Sequence, residues 1–278
     1  AAGVVAKEVY ERLGCNVIEL HGELNGSFPN HHPDPSKLEN MEDLIKSVKE
    51  NDSVVGLAFD GDADRLGVIS PKGEMIFPDR QMIMFSRQVI QSSPNAKIVF
   101  DVKCSKLLSD EIEKLKGKPL ICKTGHTFIK QKIRETDALL GGEMSGHIFF
   151  NDRWPGFDDG IYAGARMLEI IANSEQEDLF VTVPNMLSTP EINIPAADEE
   201  KFQIVKTFIE NSNFNDAKIV SIDGIRVEFE KGWGLLRPSN TSPCLVLRFE
   251  AETNDDLNKI KEIFYLGLKS IKPNINKF

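Results

Sequence analysis

The run Val54-Val55-Gly56-Leu57-Ala58-Phe59 is apolar throughout and passes directly into Asp60-Gly61-Asp62-Ala63-Asp64-Arg65. An apolar stretch of strand length without polar alternation predicts a strand covered on both faces, as in an α/β layer. The acidic run then leaves the strand's end, where the loops of open α/β sheets commonly bind ligands. Three carboxylates at i, i+2 and i+4, separated by the small Gly61 and Ala63, allow the backbone to curl Asp60, Asp62 and Asp64 around one point. Oxygen ligands alone suit a hard cation such as Mg²⁺. Without a cation three negative charges repel, and Arg65 alone does not offset them. An EF-hand loop also begins Asp-x-Asp-x-Asp, but its sixth position is Gly and its twelfth Glu, where this chain has Arg65 and Pro71. On the residues alone, a solvated acidic turn remains the competing reading.

Around that run the chain alternates. Residues 4–13 read as a helix stopped by Gly14, with Val5, Val9 and Leu13 on one face, and 16–20 read as a short strand. A polar loop through Pro35 precedes a helix with Asn40 as N-cap and Leu44, Ile45 and Val48 as its apolar stripe. Strands are expected at 67–69, 97–100, 120–122, 138–140 and 147–150, and helices at 82–90, 107–115, 128–134 and 159–172. This rhythm predicts α/β units around a largely parallel sheet. Residues 185–195, with Pro190 and Pro195, read as a linker. A helix at 199–210, strands near Ile219, Val227 and Leu245, and a helix after Asn254 then predict a smaller α+β domain.

A length of 278 residues allows two or three domains. No apolar run nears the length of a membrane span, and a net charge of −10 argues against nucleic acid as the main partner. A few converging cations can still hold one small anionic substrate. Cys15, Cys104, Cys122 and Cys244 form no Cys-x-x-Cys pair and read as reduced thiols of a cytoplasmic protein.

Two further loops carry chemistry. Gly141-Gly142-Glu143-Met144-Ser145-Gly146-His147 is Gly-rich, which lets backbone approach a ligand closely. Glu143 and Ser145 offer the acceptors and donor that grip sugar hydroxyls, and His147 can move protons near neutral pH. A plain turn with a structural histidine accounts for the same residues. Arg237-Pro238-Ser239-Asn240-Thr241-Ser242-Pro243 sets one guanidinium beside hydroxyls, an amide and backbone N–H groups, the inventory for a phosphate. A polar loop capped by prolines is the alternative. Lys103 and His126 each follow an expected strand, though isolated residues of these types are commonly just solvated.

Taken in order, these segments resemble the α-D-phosphohexomutase family across essentially the whole chain. The shared motifs are Asp60–Arg65, Gly142–His147 and Arg237–Pro243, with Asp-Val-Lys103-Cys, Lys-Thr-Gly-His126 and Trp154-Pro155-Gly156-Phe157-Asp158-Asp159-Gly160 between them. The resemblance extends to Phe28–Pro35, which discounts a separate metal role for His31 and His32. It implies mixed-sheet α/β domains followed by a smaller α+β C-terminal domain. The expected boundaries are an incomplete domain 2 over 1–74, domain 3 over 75–187 and domain 4 over 188–278. It further implies phosphoryl transfer between the 1- and 6-positions of a hexose phosphate, with glucose or mannose 1,6-bisphosphate as intermediate. Asp60, Asp62 and Asp64 would hold Mg²⁺; Arg65, Lys103, His126 and His147 would line the transfer site. Glu143 and Ser145 would bind the sugar, and Arg237, Ser239, Asn240 and Thr241 the unreacting phosphate. Met144 and Asn240 resemble the bacterial enzymes that accept mannose and glucose phosphates, whereas phosphoglucosamine mutases usually carry Gln and Gly there.

The family nucleophile sits in a Ser-His-Asn-Pro-like loop of a first domain, and nothing in these 278 residues matches it. The expectation is a chain holding most of domain 2 with domains 3 and 4, inactive alone, with exposed apolar surface and the missing N-terminal domain as a partner. A non-catalytic phosphosugar-binding protein and a phosphoglucosamine mutase are the alternatives.

Overall fold

The computed structural model describes residues 1–175, 179–214 and 217–278. They divide into two compact units: Ala1–Cys104 with Leu108–Ile121 and Gly125–Pro184, and Asn185–Phe278 with Ser105–Leu107 and Cys122–Thr124.

The first unit holds two sheets. β1 (Gly56–Phe59), β2 (Leu66–Ile69) and β3 (Met75–Ile76) form an antiparallel sheet in sequence order. β4 (Lys97–Asp101), β5 (Lys118–Cys122), β6 (Leu140–Gly142) and β7 (Ile148–Phe150) form a second, in the order β5-β4-β6-β7. β4 runs parallel to β6, and β6 antiparallel to β7. The first sheet is therefore antiparallel and the second mixed, in place of one largely parallel sheet, because β1–β2 and β6–β7 are joined by short loops that reverse the chain.

Helices α1 (Ala6–Arg12), α2 (Glu42–Glu50), α3 (Pro78–Ser92), α5 (His126–Thr136) and α6 (Gly160–Ala172) pack on these sheets; α4 (Lys106–Lys114) lies between β4 and β5 in the chain. Pro78 opens α3, where a missing N–H costs nothing, and Met82, Ile83, Phe85, Val89 and Ile90 are buried along it. α6 touches β1, β2 and β7, and so spans both sheets of the unit.

Three expectations change here. Residues 16–20 form no strand; Ile18 and Leu20 are exposed and no neighbouring strand supplies hydrogen bonds. The apolar run at 54–59 is a strand from Gly56 only, and Val54 is 62% exposed. Leu57, Ala58 and Phe59 are only half-buried, so the run is not fully covered, and β1 is an edge strand of its sheet. Asn40 does not cap α2: its amide donates to the Asp34 carbonyl at 2.9 Å, and the helix follows a 3₁₀ turn over Leu38–Met41. α1 buries Ala6 and Tyr10, whereas Val5, Val9 and Leu13 face solvent.

The second unit is a six-stranded antiparallel sheet. β10 (Lys218–Val220), β11 (Ile225–Phe229), β12 (Gly232–Pro238) and β13 (Cys244–Ala251) lie side by side. β8 (Leu187–Ser188) and β9 (Ile192–Pro195) both pair with β13. Residues 185–195 are thus partly strand rather than linker; Pro195 sits at a strand end, where its missing donor is tolerated. α7 (Asp198–Asn211) and α8 (Asn254–Ile271) pack on the sheet. Phe208, Phe249 and Phe264 meet in the core, with Phe264 at ring distances of 5.4 Å from Phe208 and 5.2 Å from Phe249.

Truncating this hub, Phe264→Ala, is expected to destabilise the second unit by about 3–5 kcal/mol, read as an earlier denaturant midpoint in tryptophan fluorescence, since Trp233 lies in the same sheet.

Candidate active site

The acidic run is the loop of the β1–β2 hairpin, which pairs Phe59 with Leu66. The Asp60 carboxylate turns back over its own loop. Its Oδ1 accepts from the Arg65 backbone N–H at 3.1 Å and its Oδ2 from Arg65 Nε at 2.6 Å. Arg65 Nη1 also reaches Asp34 Oδ1 at 3.3 Å. Ala63 adopts a left-handed backbone, φ 68°, which bends the loop so that ligand oxygens of Asp60, Asp62 and Asp64 lie within 4.8 Å of one another. An all-oxygen cluster of that span fits a divalent hard cation.

Electrostatics separate the three acids. Burial pushes the Asp60 carboxyl up, but the hydrogen bonds and charge of Arg65 hold it below the usual carboxylate range. Asp64 lies above that range: burial raises it, as do the charges of Asp60 and Asp62, against an opposing pull from His147.

The Gly-rich segment is the β6–β7 turn. Gly141 and Gly142 lie where neighbouring helices come close. A Cβ at Gly141 would sit 2.7 Å from Ile133 and one at Gly142 2.4 Å from Met82, so these glycines let α5 and α3 close on β6 from its two faces. Gly146, at φ 103°, is the position where the turn needs glycine.

That turn and the acidic loop are stitched together. Leu66 N–H donates to Gly146 C=O at 3.1 Å, and Arg65 and His147 form a β-bridge. From the other side, Gly160 N–H donates to Ala63 C=O at 3.0 Å, setting the start of α6 on the loop. A Cβ at Gly160 would lie 2.7 Å from the Arg65 carbonyl oxygen, so this approach requires glycine. Asp159 caps the helix by accepting from Tyr162 N–H at 2.9 Å.

His147 stands between the two loops. Its Nδ1 lies 2.8 Å from Ser145 Oγ and 3.4 Å from Glu143 Oε2, and its Nε2 3.4 Å from Asp64 Oδ1. Burial pulls the imidazole down, but the Glu143 hydrogen bond and the charges of Glu143, Asp64 and Asp158 hold it above its ordinary value. Glu143 is buried, and its Oε1 accepts from Gly125 N–H at 2.5 Å, at the start of α5. His126, the first residue of α5, stacks on His147 at 5.7 Å and sits 3.7 Å from Asp158. Lys103 is buried just after β4, where its charge acts on Asp101. Thus Asp60, Asp62, Asp64, Arg65, Glu143, Ser145, His147 and His126 are brought together. Asp34, Lys130 and Asp158 join them through ion pairs that sequence reasoning did not single out. Their signal was present: Asp34 and Asp158 fall inside segments that carry the resemblance.

In the second unit, Arg237–Pro243 spans the end of β12 and the turn into β13. Arg237 Nε donates to Asp223 Oδ2 at 2.9 Å, while its Nη2 is buried with no hydrogen-bond partner. An orphaned guanidinium nitrogen is costly unless an anion meets it. Ser239 is turned inward: its Oγ accepts from the N–H groups of Thr241 and Ser242, at 3.3 and 3.1 Å. Asn240 and Thr241 are exposed.

Three family descriptions match the chain in order: phosphoglucomutase/phosphomannomutase α/β/α domain II over residues 1–73, domain III over 77–185, and the C-terminal domain over 191–266. A phosphomannomutase/phosphoglucomutase of Pseudomonas syringae pv. tomato is 52% identical over 99% of this chain and 60% of its own length. A phosphoglucomutase of Neisseria gonorrhoeae is 48% identical over 96% of the chain and 59% of its own. The crystal structure of a phosphoglucomutase/phosphomannomutase family protein from Burkholderia thailandensis superposes with a TM-score of 0.94, at 45% identity, covering 100% of this chain and 60% of that one. The chain therefore spans about three-fifths of the length of these relatives. No helix among the described residues is long and apolar enough to cross a membrane.

Gly160→Ala is expected to push α6 off the metal loop, costing about 1–3 kcal/mol of stability and reducing the rise in melting temperature on adding MgCl₂, both read from thermal melts with and without the ion.

Proposed function

We propose, since the chain belongs to the phosphoglucomutase/phosphomannomutase family, that it carries the metal, sugar and phosphate loops of a hexose-phosphate mutase. The reaction moves a phosphoryl group between the 1- and 6-hydroxyls of mannose or glucose phosphate through a 1,6-bisphosphate. The observation that carries this reading is the convergence of Asp60, Asp62 and Asp64 on a loop whose backbone is bonded to the Glu143–His147 turn.

Asp60, Asp62 and Asp64 would hold Mg²⁺, which when bound offsets negative charge as the phosphoryl group passes. Arg65, fixed by Asp60 and Asp34, adds positive charge beside the acidic loop, and Lys103 would line the transfer site from the end of β4. His147 is the proton carrier, its ring held by Ser145 and Glu143; His126 lies against it. Glu143 and Ser145 accept from and donate to sugar hydroxyls, since carboxylate and hydroxyl oxygens accept more than one hydrogen bond. Arg237 presents Nη2 to the phosphate that is not reacting. Ser239 shapes the loop from within, and Asn240 and Thr241 reach the same phosphate from its exposed rim.

Met144 and Asn240 favour mannose and glucose phosphates over the amino sugar. The family's phosphoserine is not supplied by these 278 residues in a Ser-His-Asn-Pro-like loop, so turnover requires the domain that bears it. The three functional parts are assigned to 1–74, 75–187 and 188–278, in the cytoplasm.

Calorimetric titration of glucose 1,6-bisphosphate into the chain with Mg²⁺ is expected to show binding that Arg237→Ala weakens about tenfold or more, the worth of a charge-assisted hydrogen bond. Equal affinity in the variant would remove Arg237 from phosphate recognition.

A further inference from the structure

We propose that Asp64, His147 and Asp158 form a second cation site beside the all-oxygen triad, selective for a transition ion such as Zn²⁺. Ligand atoms of these three residues lie within 4.8 Å of one another, and all three are half-buried. Two carboxylates with one imidazole make a mixed oxygen and nitrogen donor set. Mg²⁺ disfavours nitrogen, whereas Zn²⁺ binds such sets with a fourth position open to water.

The histidine is built for ligation. Its Nδ1 faces Ser145 Oγ at 2.8 Å and Glu143 Oε2 at 3.4 Å, partners that orient the ring, and its Nε2 faces Asp64 Oδ1 at 3.4 Å. The ring lies between His126 at 5.7 Å and Phe149 at 6.5 Å, near parallel to both, so its plane is fixed. The backbone is equally constrained: His147 bridges to Arg65, next to Asp64, and Asp158 bridges to Phe149. Asp158 also meets Lys130 Nζ at 3.0 Å through Oδ1 and His126 Nδ1 at 3.7 Å through Oδ2. Lys130, on Asp158, and Arg65, whose charge meets Asp64, oppose a cation there, against the carboxylates of Asp64, Glu143 and Asp158.

The site shares Asp64 with the proposed Mg²⁺ triad and uses the imidazole of His147, proposed to carry protons. Occupancy by Zn²⁺ would therefore inhibit phosphoryl transfer, a consequence that rests on the mutase reading, whereas the binding itself does not.

The test is histidine-selective ¹⁵N NMR of the full chain in saturating Mg²⁺, titrated with ZnCl₂, with His147→Gln to assign the resonance. The expected result is a stoichiometric shift of His147 Nε2, with the apparent Zn²⁺ affinity reduced about tenfold or more in Asp158→Asn and little changed in Asp62→Asn, which lies outside the cluster. An unshifted His147 resonance in the wild-type chain would overturn the proposal without recourse to any variant. Equal weakening by Asp62→Asn and Asp158→Asn would also overturn it, because Zn²⁺ would then simply replace Mg²⁺ in the triad.

Discussion

Backbone bonds between two turns fix the geometry of the first unit's site. Leu66 N–H on Gly146 C=O, the Arg65–His147 bridge, and Gly160 N–H on Ala63 C=O tie the β1–β2 loop to the β6–β7 turn and to the start of α6. These bonds join segments far apart in sequence and none uses a side chain. They place Asp64 and His147 together, and Glu143 follows because its own turn is closed by bonds between Glu143 and His147 and between Gly146 and Glu143. A cation site of this kind is preorganised before any ion arrives, which lowers the ordering cost of binding.

Charge is then distributed by what each acid touches. Asp60 is committed to Arg65, which holds its carboxyl below the usual range, whereas burial and the charges of Asp60 and Asp62 hold Asp64 above it. Arg65 serves inside the loop as a brace, through both its backbone and its guanidinium. The Arg237–Pro243 loop of the second unit, proposed to hold phosphate, follows a different plan. Its arginine is anchored through one nitrogen to Asp223 and leaves another buried without a partner, and Ser239 spends its acceptor capacity on the loop's own N–H groups.

The acidic loop, the Gly-rich turn and the Arg-Pro-Ser-Asn loop were legible because each packs its chemistry into consecutive residues. The alternation of elements was legible for the same local reason. What sequence could not give was partnership. Residues 54–59 look fully buried, yet β1 is an edge, and edge position depends on which other strands pair with it. Residues 185–195 look like a linker because prolines punctuate them, but β8 and β9 form where β13 offers its hydrogen bonds. Gly141 and Gly142 read as ligand-facing, and the facing helices claim them. Lys130 and Asp158 are ordinary charges along the chain and become a pair only when α5 meets the segment before α6.

The central claim is that these 278 residues hold a divalent cation through Asp60, Asp62 and Asp64 without help from any other chain. Electron paramagnetic resonance of Mn²⁺, titrated into wild type and Asp62→Asn in parallel, tests it directly, because Mn²⁺ shares the oxygen preference of Mg²⁺ and reports free ion. The account predicts tight uptake by the wild-type chain, displaced by Mg²⁺ and sharply weakened in Asp62→Asn. Unchanged uptake in the variant, or none by the folded wild-type chain, would contradict it.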